Sequence, residues 1–280
     1  MQFITTGVES LSRRIALSGL MSRGQAEVAI KQGLVTIDGK IVKSMQKVPD
    51  SSRVTVDGVI VPPPPVTPPL FALLKPRGVI SDFAKAAKEK TFVSDLVHRW
   101  GKSDKSAMGP RGQSDFSSSP SGHMIVVNKI PIMATGLLLL TTDGLLAAAL
   151  RDPTSKILTT YRVRLGNVTD TQIDALRRWK SGMRAAGVEY GPVFIDVERR
   201  TPTQTWLKVR LVDDGSKNLS DLFWFRAGLH VNRINCFAFG PYMASNVPER
   251  QLFPLAIDPV IEHLVPKREI KPVLIRNSRI

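Results

Sequence analysis

Near the start of the chain, apolar residues fall first at helical spacing and then at alternate positions. In SLSRRIALSGL, Leu11, Ile15 and Leu20 share one side of a predicted helix, with Arg13 and Arg14 beside it and Gly19 marking a turn. Ser22 opens a second helix, SRGQAEVAIKQG, as a capping box: its hydroxyl reaches the amide of Gln25, whose side chain reaches back. Gly33 ends that helix as a left-handed cap. LVTIDGKIV then alternates Val35 and Ile37 with polar residues and turns at Asp38-Gly39, the signature of a tight hairpin. VTVDGVIV at 54–61 repeats the device with Asp57-Gly58. PPPPVTPP at 62–69 continues neither a helix nor a central strand. It predicts a stiff linker and a domain boundary, with a proline-rich ligand for a signalling module as the rarer use.

Beyond the linker, LFALLKPRGVIS is an apolar strand running into Lys75-Pro76-Arg77-Gly78. Strand patterns follow at 123–127, 136–141, 160–165, 193–198, 205–212 and 231–239, and helical patterns at 143–151, 169–181 and 218–228. Residues 101–122 are low in complexity and lack apolar periodicity, which predicts an exposed insertion. The order of elements predicts an α+β protein. A small αα-β domain spans 9–61 and the linker 62–69. A domain with a mixed, largely antiparallel sheet spans 70–245, and 246–280 forms a basic extension. That tail carries Lys267, Arg268, Lys271, Arg276 and Arg279 and fits either an arm on nucleic acid or a frayed terminus.

Charge changes the picture most. A formal net charge of +15 and a pI near 10.2 point to a polyanionic partner, foremost nucleic acid. A generally basic solvated surface, or attraction to an anionic membrane, is the plainer alternative. No run approaches the roughly 20 apolar residues that cross a bilayer, and MQFITTGVES lacks a secretory pattern. The early acid-poor segment around Arg13 and Arg14 also fits an organellar transit peptide, but both arginines are assigned here to the folded front domain. The lone Cys236 excludes a disulfide framework and points to an intracellular compartment. His98, His123, His230 and His263 lack metal-ligand spacing, so neither a metal nor a small-molecule cofactor is expected.

Residues 9–61 resemble the S-four RNA-binding domain, and the specific part is SRGQAEVAIKQGLVTIDGKIV. The resemblance implies that a basic helix pair faces folded RNA, through Arg13, Arg14, Arg23, Lys31, Lys40 and Lys43. Without it, these cations read as an ordinary solvated face.

KPRGVIS at 75–81, GLLLLTTDG at 136–144, RDPTSKILTTYRVRL at 151–165 and AGLHVNRINCFAFGPY at 227–242 follow in an order that resembles the small-subunit ribosomal-RNA pseudouridine synthase A family and its large-subunit relatives. The resemblance implies an enzyme that flips a uridine out of RNA and remakes its glycosidic bond through carbon. It also implies that Tyr161 either lies against the target base or fills the core; Lys75 and Arg77 are further candidate RNA contacts, and Lys129 a candidate phosphate contact. The family's chemistry needs the aspartate of G-R-L-D-x-x-T-x-G-L to supply an oxygen lone pair. Laid on this chain, the motif falls on NKIPIMATGL, residues 128–137, and its aspartate is Pro131. Proline has no side-chain heteroatom and no amide hydrogen. A second motif, G-K-N-R-Q-V-R-R-M, falls on GSKNLSDLF at 215–223, where Asp221 and Leu222 replace arginines. Asp143 is expected to cap a helix, and restored catalysis would need Asp152 or an acid of the insertion.

The expectation is therefore a pseudoenzyme that binds ribosomal RNA as an assembly factor or component of a mitochondrial ribosome. Its expected partners are ribosomal proteins or other assembly factors, with no membrane role. The alternatives are an active synthase with a relocated carboxylate, and a protein–protein adaptor that docks through the insertion, the linker and the tail.

Overall fold

The computed structural model of the chain describes residues 4–83, 90–100, 123–267 and 271–273. The insertion at 101–122 lies outside the described residues, as do Arg268, Arg276 and Arg279 of the tail.

The front unit forms as its local signals dictate. Helix Leu11–Leu17 is capped by Ser10, and helix Arg23–Lys31 by the Ser22–Gln25 capping box. Both hairpin turns have left-handed Asp-Gly pairs, with φ of 50° and 82° at Asp38 and Gly39 and of 48° and 78° at Asp57 and Gly58. These values match the right-handed twist of the flanking strands. The strands run in the order Lys40–Val42, Val35–Ile37, Val54–Val56, Val59–Val61, and Leu11, Ile15, Ala26, Ile30, Val35 and Val54 fill the core against them. Leu20 departs from expectation. The helix stops at Leu17, Gly19 turns left-handed, and Leu20 emerges exposed.

The second unit is built on a nine-stranded sheet. Its main path runs Phe194–Arg200, Thr205–Val212, Leu158–Leu165, Val231–Phe239, Thr135–Thr141, Leu70–Lys75 and Phe253–Leu255. All neighbours on this path are antiparallel except Thr135–Gly136 beside Asn235–Cys236. Leu137, Leu138, Leu139 and Leu140 are all fully buried, because this central strand is covered on both faces. Thr205–Val212 alternates buried and half-buried, as a strand with one open face does. Helices Val93–Trp100, Gly144–Arg151, Asp170–Arg177 and Leu219–Ala227 supply apolar residues to the same core.

The sheet reaches into the segment expected to be an extension. Phe253–Leu255 pairs with Leu70–Ala72, and Ile261 is buried in the core. Pro254 is tolerated because this is an edge strand, where a missing donor costs little. The hairpin Met183–Ala185/Val188–Tyr190 is a further element that the apolar pattern did not signal. The two units touch: the His123 amide donates to the Gly19 carbonyl at 2.6 Å, and Arg13 lies 3.5 Å from Asp143. No described helix is long and apolar enough to cross a membrane.

At Gly136, φ is +113° and an added Cβ would sit 2.2 Å from the Cys236 carbonyl oxygen. The parallel contact thus forms only with glycine there. Gly136→Ala is expected to lower the unfolding free energy by about 3 kcal/mol, read as a lower urea midpoint; an unchanged midpoint would show that the strands can part without loss.

Candidate functional site

The loop 127–134 hangs from the strand it precedes. The buried Asn128 acts as a piece of backbone: its amide nitrogen donates to the Leu137 carbonyl at 3.0 Å, and its oxygen accepts from the Leu139 amide at 2.7 Å. The same amide lies 3.7 Å from the Cys236 sulfur. Ser81 donates to the Ile130 carbonyl at 2.7 Å, and the Gly78 amide to the Ile132 carbonyl at 2.8 Å. Pro131 is half-buried, and its carbonyl closes a turn onto the Ala134 amide at 3.0 Å. The loop is held on several sides, yet the position that should carry an oxygen presents a hydrocarbon ring. Ile132 and Met133 beside it are exposed and apolar.

A buried polar pair lies nearby. The Tyr161 hydroxyl donates to Asp213 at 2.6 Å, and the other Asp213 oxygen accepts from the Gly215 amide at 2.8 Å. Tyr161 is 2% exposed and Asp213 7%. Burial pushes the Asp213 carboxyl up, against the hydrogen bond from Tyr161, which pulls it down. Burial, reinforced by the facing Asp213, holds the Tyr161 hydroxyl well above its usual range, and burial also raises the Cys236 thiol. Gly215 brings this turn against the site loop, since a Cβ there would lie 3.5 Å from Cβ of Lys129. Asp213 is the acid that motif comparison missed. The signal for it was parity: Leu207, Val209 and Leu211 point inward, and Asp213 falls next in that series.

The predicted contact residues divide. Arg23, Lys31, Lys40, Lys43, Arg77 and Lys129 are exposed, with Arg23 3.4 Å from Glu27 and Lys129 3.5 Å from Asp82. Three others are corrected by their surroundings. Arg14 is buried and donates to the carbonyls of Pro49, Ser52 and Val61, stitching helix to strands. Lys75 is buried and donates to the carbonyls of Pro76, Val79 and Ile132, and burial pushes its pKa down to about 8. Neither cation reaches a surface phosphate from there. Arg13 is held between Glu9 at 2.8 Å and Asp143 at 3.5 Å, so its charge is spent joining the two units. Of the two readings of Tyr161, the structure has the core one, with the ring enclosed.

Other acids are occupied as well. Asp143 caps helix Gly144–Arg151 as expected, and Asp152 caps the turn Pro153–Ser155 through Thr154. In the 215–223 segment, Asn218 caps the helix and bonds Asp221 at 2.8 Å, Lys217 lies 3.4 Å from Asp214, and Leu222 and Phe223 are buried. The segment packs where the resemblance implied cations.

Comparison with known proteins agrees with this geometry. Residues 15–54 match the S4 domain model. An uncharacterized RNA pseudouridine synthase of Rickettsia felis is 24% identical over 241 residues, covering 86% of this chain and 93% of that protein. The ribosomal large subunit pseudouridine synthase B of Bacillus subtilis is 33% identical over 178 residues, 63% of each chain. A crystal structure of a pseudouridylate synthase superposes with a TM-score of 0.50 at 18% identity, covering 88% of this chain and 96% of that one. The front of the chain thus matches the S4 domain, the part behind it has the fold of a pseudouridylate synthase, and the whole is similar to pseudouridine synthases that act on RNA.

Proposed function

We propose that the protein is a catalytically silent member of the pseudouridine synthase family that binds ribosomal RNA as an assembly factor or component of a mitochondrial ribosome. The observation that carries the reading is the side chain at position 131. Proline offers no lone pair to a base or sugar, while the loop around it keeps the bonds that would present a nucleophile. The enclosed Tyr161–Asp213 pair supports the same reading, because a base would reach that ring only after both residues moved. Exposed Arg23, Lys31, Lys40 and Lys43 on the front domain supply sequence-independent affinity. Inserted low-complexity sequence in a degenerate enzyme suits an organellar ribosome, so a tagged chain should co-purify with mitochondrial ribosomal particles.

A second reading has one specific observation behind it. Asp213 is a carboxyl close to the site loop, and an active enzyme would use it after releasing Tyr161 and the Gly215 amide. An adaptor role, docking through the linker, the insertion and the tail, is compatible with the first reading inside a ribonucleoprotein.

Nucleoside analysis of ribosomal RNA incubated with the protein is expected to show no new pseudouridine. Pro131→Asp is expected to show none either, because the cations of the second motif are also missing. Pseudouridine made by the native chain and lost in Asp213→Asn would establish the second reading instead. Affinity for structured ribosomal RNA is expected to fall about 100-fold between about 50 and 200 mM salt, as four neutralised phosphates require. A flat salt response would favour the adaptor.

A further inference from the structure

Strands Phe194–Arg200, Thr205–Val212, Leu158–Leu165 and Val231–Phe239 stand side by side, and their inward positions are mostly apolar, with Tyr161, Thr159 and Thr205 as buried polar exceptions. Their alternate positions emerge on the other face of the sheet. An antiparallel sheet often leaves one face to water, and such a face is ordinarily a mixture of threonines and opposed charges. This one is organised differently. Arg162 lies over the Phe237 ring at 4.1 Å, Arg164 over Trp206 at 5.8 Å and Arg210 over Phe194 at 5.7 Å. Register sets Arg162 opposite Lys208, and Arg164 opposite both Trp206 and Arg233. Cations and rings therefore alternate across neighbouring strands.

Like charges directly across a sheet destabilise it, so the Arg164–Arg233 opposition does not serve the fold, whereas Lys208 stands between Arg162 on one side and Asp196 on the other. Two carboxylates offset part of the charge, Glu198 at 3.0 Å from Arg162 and Asp196 at 2.9 Å from Arg210. Among the described residues, Arg164, Lys208 and Arg233 have no ion-pair partner. The surplus is positive, and it lies among half-exposed or exposed aromatic rings. Guanidinium groups stacked on rings keep their N–H edges for phosphate oxygens. A flat sheet that combines rings with cations suits unpaired nucleotides, whose bases stack while their phosphates are neutralised. Duplex RNA would not offer its bases to such a plane.

We propose that this open sheet face binds a single-stranded segment of RNA. Bases lie against Trp206, Phe237 and Phe194, and phosphates lie at Arg164, Lys208 and Arg233. The surface is made by residues other than those named on the front domain and in the loop at Pro131, although Asn235 on it bonds Thr135 at the end of that loop at 3.0 Å. The inference rests on the RNA-binding reading for the class of its ligand and not on whether the site is silent.

The test uses the full chain and a fluorescently labelled, unstructured uridine oligonucleotide of about 12 nucleotides, with a structured ribosomal RNA fragment measured in parallel. Lys208→Glu with Arg233→Glu is expected to weaken oligonucleotide binding at least about 10-fold, and Trp206→Leu about 10-fold by loss of stacking. Lys180→Glu with Arg184→Glu makes the same change of charge elsewhere on this domain and is expected to cost less than about 2-fold. Circular dichroism would establish that each variant is folded, and the charge pair keeps the test valid if Trp206→Leu is not. Native affinity in the folded face variants would overturn the inference while leaving the RNA-binding reading intact. Failure of the native chain to bind either RNA would sink both. Face variants that bind the oligonucleotide normally but no longer join ribosomal particles would mark a protein-docking surface and also overturn it.

Discussion

Strands Thr135–Thr141 and Val231–Phe239 meet in parallel through only two residues of each, and the meeting leaves no room for a side chain at position 136. The rest of the site is assembled around that junction. Asn128 bonds the backbone of one strand at Leu137 and Leu139 and reaches the sulfur of Cys236 on the other. The loop that follows is therefore aimed by the same contact that joins the strands. Lys75 and the Gly78 amide then hold it from the far side through the Ile132 carbonyl. The bonds that fix this loop run through backbone carbonyls and Asn128 and do not involve the side chain at 131. For that reason a nucleophile can be lost there without the loop losing its place.

The buried pair below follows from a different balance. A carboxyl in an apolar surround is costly in its charged form unless hydrogen bonds meet it. Asp213 receives one from Tyr161 and one from the Gly215 amide, while burial pushes its carboxyl above the usual range. Such a group holds its partners firmly. Turning Asp213 toward a substrate would strand the Tyr161 hydroxyl in the core, where an unpaired polar group costs about 1–3 kcal/mol. The pair thus works as part of the packing, and it closes the ring that the family resemblance had offered to a base.

Much of the fold was legible because its signals are local. Ser22 with Gln25, the two Asp-Gly turns and the unbroken GLLLL run each specify geometry within a few residues. The losses came where charge was read without direction. Arg14 stands three residues after Leu11 and one before Ile15, on the apolar side of its helix, so helical spacing already turned it inward. Lys75 continues the inward series Phe71 and Leu73, as Asp213 continues Leu207, Val209 and Leu211. In all three cases periodicity outranked residue type. What the sequence could not disclose was the set of carbonyls that makes such burial tolerable, because Pro49, Ser52 and Val61 meet Arg14 only in the folded domain.

These displacements also redistribute the charge from which the RNA-binding expectation began. Arg13, Arg14 and Lys75 leave the list of surface contacts, since carboxylates or carbonyls satisfy each of them within the chain. Among the described residues, Lys31, Lys40 and Lys43 on the front domain and Arg164, Lys208 and Arg233 on the outward face of the large sheet are cations without an ion-pair partner. A protein with net charge +15 whose loop around Pro131 presents Lys129, Ile132 and Met133 has little electrostatic reason to centre RNA on that loop. Counterion release rewards cations wherever they meet phosphates. On the proposed silent reading, RNA need not be held with one uridine in one pocket, and a broader basic surface can carry the binding instead.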